Sequence, residues 1–223
     1  MSMEHGTKIN CPECGTEGDF IIWQSLNTQL DPDAKEKLIS GELFRYTCPK
    51  CGRVTNVAYD ILYHQMEDLI MIQLAGRDED VESAVASFDR MKDGSMPGGA
   101  AMFDAGYTLR IVRDQNQLRE KAYIFDQGLD DRAIEILKLY LRTNLKIQQP
   151  ELNVAEMLLE INDGAPEQFA VRLEDGTWGS MAFQREAYDK ILERLAESED
   201  DGKNAYFVNQ DWAMAQLSAG ASE

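Results

Sequence analysis

The sequence is poor in basic residues, and this shortage argues against nucleic-acid binding. Lysine and arginine total 22 against 40 aspartates and glutamates, which gives a formal net charge of −18. The formal charge is −5 over residues 1–75 and −13 over the remainder. Because nucleic-acid binding depends on basic side chains that neutralise phosphates, we expect no nucleic acid among the partners of this protein.

Long hydrophobic runs are also missing. A typical apolar stretch, Leu69-Ile70-Met71-Ile72, is far shorter than the roughly 20 residues that span a bilayer. The start of the chain, Met1–His5, has neither a basic segment nor an apolar core of the kind that a secretory signal contains. We therefore expect no membrane segment and a cytoplasmic location.

Histidine is scarce, and the common catalytic motifs are absent. The only histidines are His5, in a segment expected to be disordered, and His64, which follows an apolar stretch and is expected to be structural. No Gly-x-Ser-x-Gly sequence accompanies them. The glycine-rich residues 93–106 lack the Gly-Lys-Ser/Thr ending of a phosphate-binding loop and are predicted to be a flexible loop. No catalytic or cofactor-binding residue is predicted.

Four cysteines are present, and they occur in two copies of one pattern. Cys11-Pro12-Glu13-Cys14-Gly15 and Cys48-Pro49-Lys50-Cys51-Gly52 share the order Cys-Pro-x-Cys-Gly. Proline fixes φ after the first cysteine, and glycine can take a positive φ after the second, so each run favours a tight turn. Two such turns can direct four thiolates at one ion. The sequence therefore predicts a tetrahedral metal site whose ligands are Cys11, Cys14, Cys48 and Cys51.

Zinc is the metal that this ligand set favours. Four thiolates with no evident redox requirement are typical of a structural zinc site, which leaves no open position for catalysis. Iron is a less favoured alternative, because a rubredoxin-like centre also uses two Cys-x-x-Cys-Gly turns. Paired cysteines in a chain without an export signal indicate metal ligands before disulfides.

The 33 residues between the two cysteine pairs are predicted to have structure of their own. A strand is expected at Phe20–Trp23, and Asp31-Pro32 supplies an N-cap and a first helical residue. This helix is predicted to end at Gly41, after which Leu43–Tyr46 returns as a strand. Two further strands are predicted at Val54–Tyr63 and Leu69–Leu74.

This arrangement resembles the CpXC domain family. The resemblance is carried by the two Cys-Pro-x-Cys motifs, by Ile61-Leu62-Tyr63-His64, by Leu118-Arg119-Glu120-Lys121 and by Ile124–Arg132. It covers roughly residues 8–146 and implies a prokaryotic protein. It implies no function, because the family is named for its cysteines.

The rest of the chain is predicted to continue as α+β structure. Helical spacing at 76–92, a strand at Tyr107–Val112 and a helix at Gln115–Phe125 precede a long helix that Asp130-Asp131 begins and that extends to about Leu145. After Pro150, Val154–Ile161 is apolar enough for a strand or a short helix, and the strand is preferred. The further predicted elements are a turn at Asn162–Gly164, a strand at Phe169–Leu173, a turn at Glu174–Gly176, a strand at Trp178–Phe183, a helix at Arg185–Glu197, an acidic loop at Ser198–Lys203, a strand at Ala205–Val208 and a frayed tail from Ser218.

The predicted fold is α+β, with a zinc-ribbon-like N-terminal part followed by a small antiparallel sheet and a packed helix. We expect a CpXC-like domain at 8–146, made of a zinc-knuckle part at 8–75 and a helical part at 76–146, and a C-terminal domain at 150–223. The favoured function is a zinc-stabilised protein that acts through an unidentified protein partner. The alternatives are an enzyme with an acidic site between the two parts and, more weakly, a nucleic-acid-binding zinc ribbon.

Overall fold

The computed structural model describes residues 2–162, 164–198 and 202–219. The chain forms two compact units, Met1–Arg119 and Glu120–Glu223. This boundary lies earlier in the chain than the gap that was predicted between 146 and 150. Helices and strands are mixed in both units, and the predicted α+β class is confirmed.

A five-stranded mixed sheet is the centre of unit 1. The strands of this unit are β1 (Met3–Asn10), β2 (Glu17–Asn27), β3 (Arg45–Thr47), β4 (Val54–Asn56), β5 (Ile61–Gln65), β6 (Ile70–Leu74) and β7 (Thr108–Val112). The sheet has the order β1-β2-β5-β6-β7, and β3 pairs with β4 in a separate two-stranded sheet. In the main sheet, β1–β2 and β5–β6 are antiparallel, whereas β2–β5 and β6–β7 are parallel. His5 lies in β1, so the predicted disorder of that segment is wrong.

Helix α1 (Pro32–Ser40) forms where the sequence predicts it. Asp31 is its N-cap residue and Pro32 its first helical residue. Gly41 ends it with a left-handed φ of 78°, a conformation that costs glycine little. The helix buries Ala34 and Leu38. This part of the prediction is confirmed.

Two predicted strands in this region are only partly correct. Val54–Tyr63 is not one strand, because β4 ends at Asn56 and the chain crosses to the main sheet before β5 begins. At the crossing, the N–H of Val57 donates to the carbonyl oxygen of Phe44, and this bond holds the connection against the smaller hairpin. The segment Glu42–Phe44 is a 3₁₀ turn, so the strand predicted at Leu43–Tyr46 begins only at Arg45.

Helix α2 (Asp78–Lys92) is followed by a short helix, α3 (Gly99–Asp104), within the segment predicted to be a loop. That prediction is wrong for these six residues. Gly98 enters the helix with φ of 76°, and a Cβ on Gly99 would lie 2.7 Å from the Cα of Met91. The glycines that suggested a loop are therefore needed for a turn and for close packing against α2.

Unit 2 is built on a three-stranded antiparallel sheet of order β10-β9-β8. Its elements are α5 (Asp131–Gln148), β8 (Val154–Leu159), β9 (Gln168–Leu173), β10 (Trp178–Ala182), α6 (Arg185–Glu197) and α7 (Gln210–Ala219), and α4 (Gln115–Asp126) crosses the unit boundary. The predicted cap of α5 is confirmed, because the Asp130 side chain accepts a hydrogen bond from the N–H of Arg132. Helix α5 contacts both α6 and α7.

The core of unit 2 combines one face of each element. Its fully buried side chains include Ile134 and Leu137 of α5, Phe169 of β9 and Tyr188 of α6. The hydroxyl of Tyr188 accepts a hydrogen bond from the N–H of Asp130, 2.8 Å away, which ties α6 to the start of α5. The predicted small sheet with a packed helix is therefore present, with α5 and α7 packed in the same unit.

The end of the chain differs from the prediction. Residues 205–208 form no strand, and α7 was not predicted. Asn209 caps this helix, since its side-chain oxygen accepts from the N–H of Trp212 at 3.0 Å. The helix continues through Ser218, where fraying was predicted, and 220–223 lie outside the described residues. The predicted turn at 162–164 and the acidic loop at 198–203 also include undescribed residues, 163 and 199–201.

Candidate metal centre

The two Cys-Pro-x-Cys-Gly runs form the tips of two hairpins with the same hydrogen bonding. In the first, the N–H of Cys11 donates to the carbonyl oxygen of Thr16 and the N–H of Gly15 donates to that of Cys11, both at 2.9 Å. In the second, Cys48 bonds to Arg53 at 2.9 Å and Gly52 to Cys48 at 3.0 Å in the same sense. The repeated sequence therefore encodes a repeated turn.

Glycine is required at the end of each turn. Gly15 has φ of 69° and Gly52 has φ of 71°, which is the left-handed region that other residues adopt only with strain. The strands on either side bring each turn to a fixed place: β1 and β2 carry the first, and β3 and β4 carry the second.

All four sulfur atoms lie close together. The four Sγ atoms lie within 4.8 Å of one another. Cys11 and Cys51 are 3.6 Å apart, as are Cys14 and Cys48, so each close contact joins one turn to the other. None of the four cysteines forms a disulfide.

These distances suit a metal. Four sulfurs at about 2.3 Å from a central zinc ion would be separated by about 3.8 Å along each edge of the tetrahedron. The two contacts of 3.6 Å are close to that edge and far from the roughly 2.05 Å of a disulfide bond. The cluster could therefore hold a metal ion, and the geometry does not by itself identify which one.

An apolar cluster surrounds the sulfurs on one side. Cys11 and Cys48 are each 2% exposed and pack with Phe20 and Tyr46, whereas Cys51 is exposed. The Phe20 and Tyr46 rings meet edge to face, with 6.4 Å between their centroids. Such a surrounding limits the access of water to two of the four sulfur atoms.

Tyr46 was missed by the sequence reasoning and is part of this centre. Its hydroxyl is buried and has no hydrogen-bond partner among the residues that the structure describes. Burial raises the pKa of Tyr46, and the neighbouring thiolates of Cys48 and Cys11 raise it further. Only the aromatic residues of the segment that leads into the second turn, Phe44-Arg45-Tyr46, mark this residue in the sequence.

The pKa values of Cys14 and Cys51 are shifted in opposite directions. Hydrogen bonds from the hydroxyl and the N–H of Thr16 lower the pKa of Cys14 to about 6, with its Sγ 3.3 Å from the Thr16 Oγ1. The N–H of Arg53 lowers the pKa of Cys51, but partial desolvation of its sulfur and the other three thiols together raise it to about 12. Four negative charges cannot gather here unaided, and a bound cation would supply the compensation.

The part of the chain that contains the cysteine pattern matches a known protein family. The family model described as CpXC protein matches residues 9–138. This chain belongs to the CpXC family. No curated protein and no solved structure matches it. The matched segment of this CpXC protein holds both cysteine turns and extends into α5.

The same segment includes a buried ion cluster that the sequence reasoning did not find. The Lys138 ammonium lies 3.0 Å from carboxylate oxygens of both Glu120 and Glu135, and Lys121 lies 2.8 Å from Asp131. Glu120 also accepts a hydrogen bond of 2.6 Å from the N–H of Leu159. The two carboxylates beside Lys138 raise its pKa, against the effect of burial. In the sequence, nothing distinguishes these residues from the other charged residues of α4 and α5.

His64 occupies a polar site at one end of the main sheet. Its Nε2 atom lies 2.8 Å from the Tyr107 hydroxyl, and the two rings are in contact. Burial lowers the pKa of His64, which favours the neutral ring. The arrangement fits the structural role predicted for this residue.

A cleft of about 770 Å³ opens at the carboxyl ends of the parallel strands β6 and β7. Asp60, Arg77, Arg113 and Gln115 are among the residues that line it. Asp60 accepts a hydrogen bond of 3.0 Å from the N–H of Gly76. Burial raises the pKa of Asp60, and the charge of the neighbouring Asp80 raises it further.

Membrane insertion finds no support in the helices. Among the described residues, none of the helices has the length and hydrophobicity that crossing a bilayer requires.

Proposed function

We propose that this CpXC protein binds one structural zinc ion through Cys11, Cys14, Cys48 and Cys51 and acts in the cytoplasm through protein–protein interaction. The observation that carries the zinc proposal is the meeting of four sulfur atoms within 4.8 Å at the tips of two equivalent hairpins. The β3–β4 hairpin has strands of only three residues and little core of its own, and metal binding supplies the missing folding free energy.

A structural role follows from the ligand count. If all four positions around the ion are taken by thiolates, no position is open for water or substrate. Zinc is favoured over iron because nothing else among the described residues indicates electron transfer. The burial of Cys11 and Cys48 beside Phe20 supports a site that holds the two hairpins together.

Exposed apolar side chains support the interaction part of the proposal. In unit 2, Tyr140 is 47% exposed and Leu217 is 50% exposed. Both line a groove of about 930 Å³, together with Ile136, Ala187 and Ile191. Exposed apolar patches of this kind are typical of surfaces that bind other proteins.

Two measurements on one preparation test the proposal. Elemental analysis of tag-free protein should give one zinc per chain, and the Cys48→Ser variant should give much less. Affinity capture with mass spectrometry should recover a defined protein partner. A folded native protein that contains no metal would overturn the zinc proposal, and stoichiometric iron would replace it with a rubredoxin-like centre.

A second candidate function is an enzyme whose site is a cleft within unit 1, which differs from the acidic site predicted between the two parts. The cleft beside β6 and β7 favours it, because ligands commonly bind at the carboxyl ends of parallel strands and Asp60 there has a raised pKa. Metabolite binding detected by thermal shift should be lost in Asp60→Asn and retained in Asp19→Asn, a matched change at an exposed strand position. Equal binding by the two variants would reject this site.

A further inference from the structure

Strand β1 is an open edge of the main sheet. It lies at the end of the order β1-β2-β5-β6-β7 and is paired with β2 alone in the described part of the chain. It is eight residues long, and six of these are exposed, all except Thr7 and Ile9. Soluble proteins usually protect such an edge with proline, charged side chains, a bulge or a covering element. Strand β1 has no proline, but it carries Glu4 and Lys8 and has an irregularity in its pairing with β2 between Met3 and Glu4. An exposed edge is a template for another strand, and the charges on it restrict which strand can pair.

The hairpin fixes which backbone groups of β1 face outward. The N–H of Cys11 donates to Thr16, and Asn10 is the next residue in the ladder, opposite Glu17. Hydrogen-bonded and non-bonded pairs alternate along an antiparallel ladder, so Ile9, Thr7 and His5 bond to β2. The backbone N–H and C=O groups of Glu4, Gly6 and Lys8 therefore point to the open edge.

These three residues form a self-complementary set. Glu4 and Lys8 have opposite charges and lie two residues before and two residues after Gly6. We propose that β1 pairs in antiparallel fashion with β1 of a second copy of this chain, about a two-fold axis at Gly6. In this register Glu4 lies opposite Lys8 of the second copy, and Lys8 lies opposite its Glu4.

Charge selects this register from its neighbours. A shift of the two-fold axis to Glu4 places two glutamates opposite each other, and a shift to Lys8 places two lysines opposite each other. Opposite charges across strands stabilise a pair, and like charges destabilise it. A two-fold axis at His5 or at Thr7 forms no ion pair between Glu4 and Lys8. Only the axis at Gly6 forms two.

Space permits the approach at the centre. Gly6 has no side chain, and nothing lies within 4 Å of the position that a Cβ would take. Lys8 already pairs with Asp19 of its own chain at 2.5 Å, and both side chains are largely exposed. Its three donors allow it to bond to a carboxylate of each chain.

The second copy of the chain would be the partner in the proposed protein–protein interaction. This pairing rests on the proposed function, because β1 leads directly into the first cysteine turn. Loss of the metal would release the end of β1 at Asn10. Dimer formation and metal content are therefore measured on the same samples, so that failure of one can be told from failure of the other.

A charge-exchange experiment tests the proposal. Sedimentation velocity at low ionic strength should show a dimer of the native chain. Glu4→Lys and Lys8→Glu should each self-associate at least about tenfold more weakly, because each replaces both ion pairs with like-charge pairs. An equimolar mixture of these two variants should regain the dimer, since each ion pair re-forms with exchanged partners.

Asp19→Asn is the matched control. It removes the Lys8–Asp19 ion pair within the chain but leaves Glu4 and Lys8 in place, so the dimer should persist. A native chain that stays monomeric with one zinc bound would overturn the β1 pairing and leave the metal proposal intact. Single variants that dimerise as well as the native chain, or a mixture that stays monomeric, would also overturn it.

Discussion

The Sγ atom of Cys11 lies 3.6 Å from that of Cys51, although 40 positions separate the two residues in the chain. The contact closes a loop that contains β2, α1 and β3. Such a closure fixes the small β3–β4 hairpin to the turn between β1 and β2. If the sulfurs share a metal, the order of both hairpins depends on it.

Removal of one of the four proposed zinc ligands, the buried Cys48, should prevent zinc binding and loosen the second hairpin. In Cys48→Ser, three thiolates remain, and the hydroxyl is a much weaker ligand. We expect loss of most bound zinc and faster amide hydrogen exchange over Arg45–Asn56, because metal-binding free energy contributes directly to folding at such sites. Elemental analysis and hydrogen exchange with mass spectrometry measure both effects.

Thr16→Val is the control for that experiment. It removes the hydroxyl that lies 3.3 Å from the Cys14 sulfur but keeps all four ligands. We expect one zinc per chain and unchanged exchange over Arg45–Asn56, with zinc lost to a competing chelator at a higher pH than in the native protein. If Cys48→Ser retained full zinc, the four-thiolate site would be wrong.

Gly18→Ala should destabilise unit 1. A Cβ at Gly18 would lie 2.3 Å from the Tyr46 hydroxyl and 3.0 Å from the ring, so the ring must move from its place beside Cys48. Overpacking of this kind costs about 1–3 kcal/mol. Denaturant unfolding of the zinc-loaded protein measures the loss of free energy.

Gly179→Ala provides the comparison for Gly18. It makes the same change in strand β10, where nothing lies within 4 Å of the added Cβ. We expect no loss of stability there. Equal stabilities for the two variants would contradict the packing of Tyr46 against β2.

Lys138→Met should destabilise unit 2 more than any surface substitution. It leaves the buried carboxylates of Glu120 and Glu135 without their shared cation. Removal of one partner from a buried ion pair costs about 3–5 kcal/mol, because the remaining charge loses its counter-charge in a medium of low polarity. Here the loss falls mainly on Glu120, since Glu135 keeps Lys121 at 4.0 Å. Thermal and denaturant unfolding give the change, and Lys190→Met, an exposed lysine of α6, serves as the control.

His64 should make stability depend on pH in the weakly acidic range. Its pKa is lowered in the folded state by burial, so the unfolded chain binds the proton more readily. The contribution is present above the ordinary pKa of about 6.5 and is lost as the pH falls through the folded pKa. Nuclear magnetic resonance titration of the His64 ring should give a midpoint below the ordinary histidine value of about 6.5.

The stability difference between the native chain and His64→Gln isolates this contribution from that of the thiols. The difference should shrink as the pH falls from about 7 to 5. A His64 midpoint at or above 6.5 would contradict the burial of the ring against Tyr107.

Local sequence patterns correctly predicted those helix ends that are determined by a few neighbouring residues. The Asp31-Pro32 start and the Gly41 end of α1, the cap of α5 at Asp130 and the bounds of α6 all match, because caps and amphipathic spacing are determined within a turn or two. The loop prediction failed at Gly99, because this glycine is needed for close packing against Met91. The strand prediction failed at residues 57–60, because the chain passes there from one sheet to another.

The sequence alone determined that this protein is α+β, that it belongs with proteins bearing two Cys-Pro-x-Cys turns, and which four residues are candidate ligands. Each turn is formed by short-range geometry, so the repeated turn can be recognised as a repeated motif in the sequence. Only the tertiary structure decided that the four sulfurs meet, that Tyr46 and Gly18 pack beside them, and that Glu120, Glu135 and Lys138 share a buried site. Those relationships join residues distant in the chain, and they arise from the pairing of strands and the packing of helices.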